Sequence, residues 1–167
     1  RLLREAIPEV LRLGRQPIVL APNSRIARRL SMERGLDCRS IYSHLYDRSR
    51  EVGMSLPEQS GGQKRAVRSF PARACADPED CVYLIDDAHL LSNDYFEVES
   101  GKCFGSGQLF NDFVAFSALG TSSRKLLLFG DPFQLPRGRR EAMPLFAQVQ
   151  RAAALPSSEL TLTEVFE

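Results

Sequence analysis

Two adjacent carboxylates, Asp86 and Asp87, follow directly on the apolar run Cys81-Val82-Tyr83-Leu84-Ile85. Ionised carboxylates are pure acceptors. A hard cation such as Mg²⁺ prefers carboxylate and water oxygens and carries nucleotide phosphates with it. The run before the acids does not alternate polar with apolar residues, so it reads as a strand buried on both faces. Acids at the carboxyl end of such a strand stand where open α/β sheets bind their ligands. The competing reading is a strand followed by a solvated acidic turn. A second stretch has the same form. Lys125-Leu126-Leu127-Leu128-Phe129 is a short apolar run that passes into Gly130-Asp131-Pro132-Phe133-Gln134-Leu135-Pro136. Gly130 allows a tight turn. Gln134 can donate and accept at once, so it can sense a terminal phosphate or an attacking water. The plainer alternative there is a β-turn with an idle Gln.

Taken together, the strings IDDAH (85–89) and LLLFGDPFQLP (126–136) resemble motifs II and III of superfamily 1 helicases, especially the RecD-like and relaxase-associated branches. IVLAPNSRIARRL (18–30) resembles motif Ia of the same family. SIYSHLY (40–46) is similar to the family's T-I-H-S-L-L-Y segment, with Ser40 where Thr is usual and the Ser and His exchanged. LTEVF (162–166) resembles the lead-in to motif IV.

The resemblance implies a RecA-like P-loop NTPase fold, a three-layer α/β/α domain with a mainly parallel sheet. It implies ATP and Mg²⁺ as cofactors and translocation on single-stranded DNA, with RNA as the alternative strand. Asp86 and Asp87 would be the Walker B acids that hold Mg²⁺ and activate water. Asp131 and Gln134 would contact the γ-phosphate, and Asn23, Ser24 and His44 would touch the strand. A second RecA-like domain would be the partner in the parent chain. Two departures qualify this. The usual Asp-Glu of motif II is Asp86-Asp87 here, one methylene shorter, and a general base must reach its proton within hydrogen-bond distance. The phosphate-binding loop G-x-x-x-x-G-K-[ST] is nowhere in the sequence. Without its backbone cradle and its Lys, nucleotide affinity is expected to be very poor and hydrolysis by this chain alone negligible. Two other classes share parts of the pattern. IDDAHLL also occurs in signalling ATPases of the AAA or STAND kind, and a decayed helicase fold could be kept for binding DNA or protein.

The elements that must position these residues follow from periodicity. Leu2, Leu3, Ala6, Ile7, Val10 and Leu11 make a helical stripe, with Pro8 expected to kink it and Gly14 to stop it. Residues 17–21 read as a short buried strand. Ser24 is expected to cap a helix running to about Arg34, with Ile26, Ala27 and Leu30 inward and Arg25, Arg28, Arg29 and Arg34 outward. Residues 36–38 read as a short strand. The region 48–80 reads as a flexible insertion, polar and Gly-rich over 58–65, with one short strand within 67–74. Arg50, Lys64, Arg65, Arg68 and Arg73 make it basic. A helix start is expected after Ser92, a loop over 100–107, and a helix over 108–119 whose phenylalanines pack in the core rather than stack on bases. The basic cluster 137–140, a helix over 141–154 and a last strand over 160–166 complete the pattern.

At 167 residues the chain suffices for one domain with a real core. A net charge of +1 excludes a global field for nucleic acid, so any such binding needs a local patch. No apolar run approaches the ~20 residues of a membrane span. No signal peptide is expected from the residues given, and a first residue of Arg1 rather than Met leads us to expect a fragment. The four cysteines form no C-x-x-C pair and lie off zinc spacing from His44 and His89. Free thiols in a reducing cytoplasm are therefore expected, Cys75 and Cys81 being the pair able to bridge a loop.

Overall fold

The computed structural model describes residues 2–56, 65–99 and 101–131, with the single positions 156, 158 and 160. Gln134, the 137–140 cluster, the expected helix over 141–154 and nearly all of the last expected strand lie outside the described residues.

The chain is mixed α/β. Helix α1 (Leu2–Arg12) leads into strand β1 (Gln16–Ala21), helix α2 (Ser24–Arg34), strand β2 (Cys38–Ser40) and helix α3 (Ile41–Leu45). Strands β3 (Val52–Leu56) and β4 (Arg65–Phe70) follow, then β5 (Cys81–Ile85) and a 3₁₀ turn over Ala88–Leu90. Strands β6 (Glu97–Glu99) and β7 (Lys102–Phe104), helix α4 (Leu109–Ser117) and strand β8 (Lys125–Leu128) complete the order.

Four strands make a parallel sheet in the order β2-β1-β5-β8. Parallel neighbours need crossover connections, and helices supply them here, so both sheet faces are covered. Strand alternation divides the core in two. Leu20, Cys81, Tyr83 and Ile85 face α3 and α4, packing on Ile41, Leu45, Leu109 and Phe113. Val19, Ala21, Val82 and Leu84 face the other way, onto Leu3 and Val10 of α1 and Ile26, Ala27 and Leu30 of α2. β5 is buried at every position, as its unbroken apolar run predicts. Each fully buried large side chain contributes roughly 1.5–3 kcal/mol relative to exposure.

Several local expectations shift. α1 carries Pro8 inside its hydrogen-bonded span, and its inward stripe narrows to Leu3, Ala6, Ile7 and Val10, leaving Leu2 and Leu11 exposed. The cap of α2 is Asn23 rather than Ser24: the Asn23 Oδ1 accepts from the Ile26 amide at 2.9 Å, and Ser24 is the first helical residue. Either residue type caps well, and the extended backbone at position 23 decides it. Gly35 ends α2 at φ +63, where any side chain is strained. β2 begins two residues later than the short strand expected at 36–38.

The region read as an insertion carries ordered strands. β3 and β4 pair antiparallel, β4 pairs with β7, and β7 with β6, a second four-stranded sheet. Residues 57–64 between β3 and β4 lie outside the described residues. β7 occupies part of the loop expected over 100–107. Instead of a helix starting after Ser92, the chain makes the 3₁₀ turn before it, and Asn93 accepts from the Phe110 and Asn111 amides to cap α4 from a distance. Phe110 and Phe113 are fully buried in the core, as expected. No described helix is long and apolar enough to cross a membrane. All four cysteines are free.

Candidate functional site

Because β1, β5 and β8 run parallel and adjacent, their carboxyl ends open on one edge of the sheet. The Asp86 amide donates to the Leu20 carbonyl at 3.2 Å, and the Phe129 amide to the Ile85 carbonyl at 2.9 Å. The Ala88 amide then donates to the Phe129 carbonyl at 2.8 Å. These bonds hold the Asp86-Asp87 turn against the Gly130-Asp131 turn. A Cβ at Gly130 would lie 3.1 Å from the His89 backbone nitrogen, so the absence of a side chain permits this approach. The Asp131 amide donates to His89 Nδ1 at 3.3 Å, which assigns the hydrogen of a neutral ring to Nε2.

Asp86 is half-buried, and its carboxylate makes no hydrogen bond or ion pair to another described residue. Its charge is felt by Cys38 on β2. Burial, then Asp86, then Asp37 push that thiol up to about 11. Asp87 stands at φ +50 and ψ +37, one of two non-glycine described residues with positive φ. Asp tolerates this region better than most residues. Its carboxylate is paired with Arg29 of α2 at 3.3 Å.

Among the described residues no group of three or more His, Cys, Asp or Glu side chains converges as a metal site. Mg²⁺ asks for less from the protein, since one or two carboxylates suffice when waters and phosphate oxygens complete the octahedron. The uncommitted Asp86 oxygens fit that donor set. Asp87 offers its Oδ1 to the same donor set while its Oδ2 faces Arg29.

Of the expected strand contacts, Ser24 lies at the same sheet edge, at the start of α2, with its hydroxyl 3.4 Å from that of Ser40 at the end of β2. Ser40 in turn caps α3, accepting from the Ser43 amide at 3.1 Å. Asn23 has its Oδ1 committed to the helix cap. His44 points into the fold. Its Nε2 lies 2.8 Å from Asp77 Oδ2, its side chain is 9% exposed, and its ring meets Phe116 and Tyr83 edge-on. Asp77 also accepts from the Tyr83 hydroxyl at 2.7 Å. Burial and then this bond raise the Tyr83 pKa. The residue expected to touch a strand is thus a largely shielded ring held inside the fold by Asp77.

Sequence reading missed two participants. Arg29 and His89 meet their partners across 58 and 42 positions, and no local pattern announces such pairs. Away from the site, at the amino end of β8, buried Arg124 donates to the carbonyls of Asp77, Pro78 and Ser117. Its position just before an apolar run was the one available signal. Compared with protein-family models, curated proteins and solved structures, the chain matches none.

Proposed function

We propose that this chain is part of an ATP-dependent superfamily 1 helicase or translocase of the P-loop NTPase class, acting on single-stranded DNA. The observation that supports this most is the joining of the Asp86-Asp87 and Gly130-Asp131 turns at one sheet edge through the Ala88–Phe129 and Asp131–His89 hydrogen bonds. Two turns with those sequences at opposite ends of a sheet could not serve one triphosphate. In this reading Asp86 holds the Mg²⁺ that accompanies ATP, which neutralises developing phosphate charge. Asp87 orients the attacking water, and Asp131 together with Gln134 reads the γ-phosphate. Ser24, at the start of a helix with an exposed basic face, meets the phosphate backbone. A phosphate-binding loop and a second RecA-like domain come from the parent protein.

The test is single-stranded-DNA-stimulated ATP hydrolysis by the parent protein carrying Asp86→Asn. Turnover should fall about 100-fold, the scale of losing one electrostatic stabiliser in an active site. Unchanged turnover and unchanged Mg²⁺ dependence would remove Asp86 from the chemistry. The isolated chain should hydrolyse ATP negligibly, and measurable turnover by it would overturn that part of the reading.

A further inference from the structure

We propose that Arg29 is a shared cation, held by Asp87 when no strand is bound and transferred to a backbone phosphate of single-stranded nucleic acid, so that strand binding releases Asp87. The role given to Asp87 rests on the function proposed above; the exchange of Arg29 between two anions does not.

Three observations carry it. First, the Arg29–Asp87 pair at 3.3 Å joins the helix carrying the candidate strand contacts to the candidate water-orienting acid. Second, the two partners are not equally mobile. Asp87 is 29% exposed, and its peptide is pinned in the left-handed region by the Ala88–Phe129 bond and by the Leu90 amide donating to its own carbonyl at 3.0 Å. Arg29 is 54% exposed on a long flexible stem, so it is the partner that moves. Third, Arg25 lies one helical turn before both Arg28 and Arg29 on α2, and all three are exposed. A guanidinium has five donors in a fixed fork that fits phosphate oxygens two at a time. The Asp87 contact uses one nitrogen at a length beyond the usual charge-assisted range, which leaves the fork open to a better acceptor.

The consequence is an exchange of partners. A phosphodiester seated over α2 takes the guanidinium, and the pinned carboxylate does not follow. Arg29 takes one acceptor site of the Asp87 Oδ2 and leaves the other sites of the carboxylate open to water. The same oxygen without Arg29 accepts a hydrogen bond from water. What the exchange changes is the positive charge beside Asp87, through one ion pair.

Binding of a labelled oligothymidylate to the full chain, followed by fluorescence anisotropy at low ionic strength, tests this. Asp87→Asn should tighten binding about two- to fivefold, the scale of an exposed ion pair. Arg29→Gln should weaken it, and Arg29→Lys should recover part of the loss. In the Arg29→Gln background, Asp87→Asn should change nothing, because the pair it acts through is gone. Equal tightening with and without Arg29 would mean plain removal of negative charge and would overturn the exchange. So would no tightening in the wild-type background. Either result leaves nucleic-acid binding standing. Absence of oligonucleotide binding by wild type and every variant would overturn the exchange, while the Asp86→Asn turnover of the parent protein decides the proposed function separately.

Discussion

Replacing His44 by Ala separates a fold-holding residue from a strand contact. The His44–Asp77 pair is largely shielded, at 9% and 16% side-chain exposure, so solvent screening does not erase it. The Asp77 carboxylate can only accept, so His44 Nε2 donates to it, and a hydrogen bond to a charged group is worth about 1.5–3 kcal/mol. The ring also meets Phe116 at 5.5 Å and Tyr83 at 6.2 Å between centroids, contacts worth about 0.5–1.5 kcal/mol where geometry is favourable. These contributions share partners and do not add fully. A net loss of about 3 kcal/mol is expected, a large part of the ~5–15 kcal/mol total of an ordinary domain. For a chain of this length that lowers the melting temperature by roughly 6–12 °C. Urea unfolding measures the loss, and oligonucleotide anisotropy on the folded variant measures the other outcome. His44→Ala should unfold at lower urea with an unchanged slope and, while folded, should bind a strand as wild type does. A variant of wild-type stability that binds about tenfold more weakly would refute the argument and return His44 to the nucleic-acid face.

Arg124→Met keeps much of the buried stem and removes donors to three carbonyls, of Asp77, Pro78 and Ser117. It should cost about 3 kcal/mol in urea unfolding, with Arg124→Lys intermediate, and a loss under about 0.5 kcal/mol would show that water replaces the guanidinium freely. Alkaline pH should destabilise the chain, because buried weak acids hold their protons longer folded than unfolded. Cys38 rises from 9.0 to about 11, mainly by burial. Tyr46 and Tyr83 are raised as well, by burial and then by hydrogen bonds to Asp112 and Asp77. Stability from Cys38 is complete below about pH 9 and drains away as pH climbs toward 11. The melting temperature should be level from pH 7 to 8.5 and fall above about 9, and a rise over that upper interval would contradict the assignment.

Periodicity alone was enough for β5 and α2 and the faces they bury. The five apolar residues of β5 announce a strand covered on both sides, and Ile26, Ala27 and Leu30 announce which side of α2 turns inward. Both are consequences of repeat distances along one segment, 2.0 residues in a strand and 3.6 in a helix. The acids ending β5 and the glycine after β8 were likewise visible as local strings. Pairings between distant segments were not. The region 48–80 looked loose although Val52, Met54 and Leu56 alternate with Gly53 and Ser55, and β4 gains its second partner only when β7 arrives from across the chain. The resemblance cast His44 as a contact although a lone His is more often structural, and nothing near it in sequence reveals Asp77. Asp87 looked free because Arg29 comes to it only through the packing of α2 beside the sheet. Repeat distance belongs to the backbone of each segment, whereas a salt bridge or a buried hydrogen bond exists only once the sheet order has brought its two ends together.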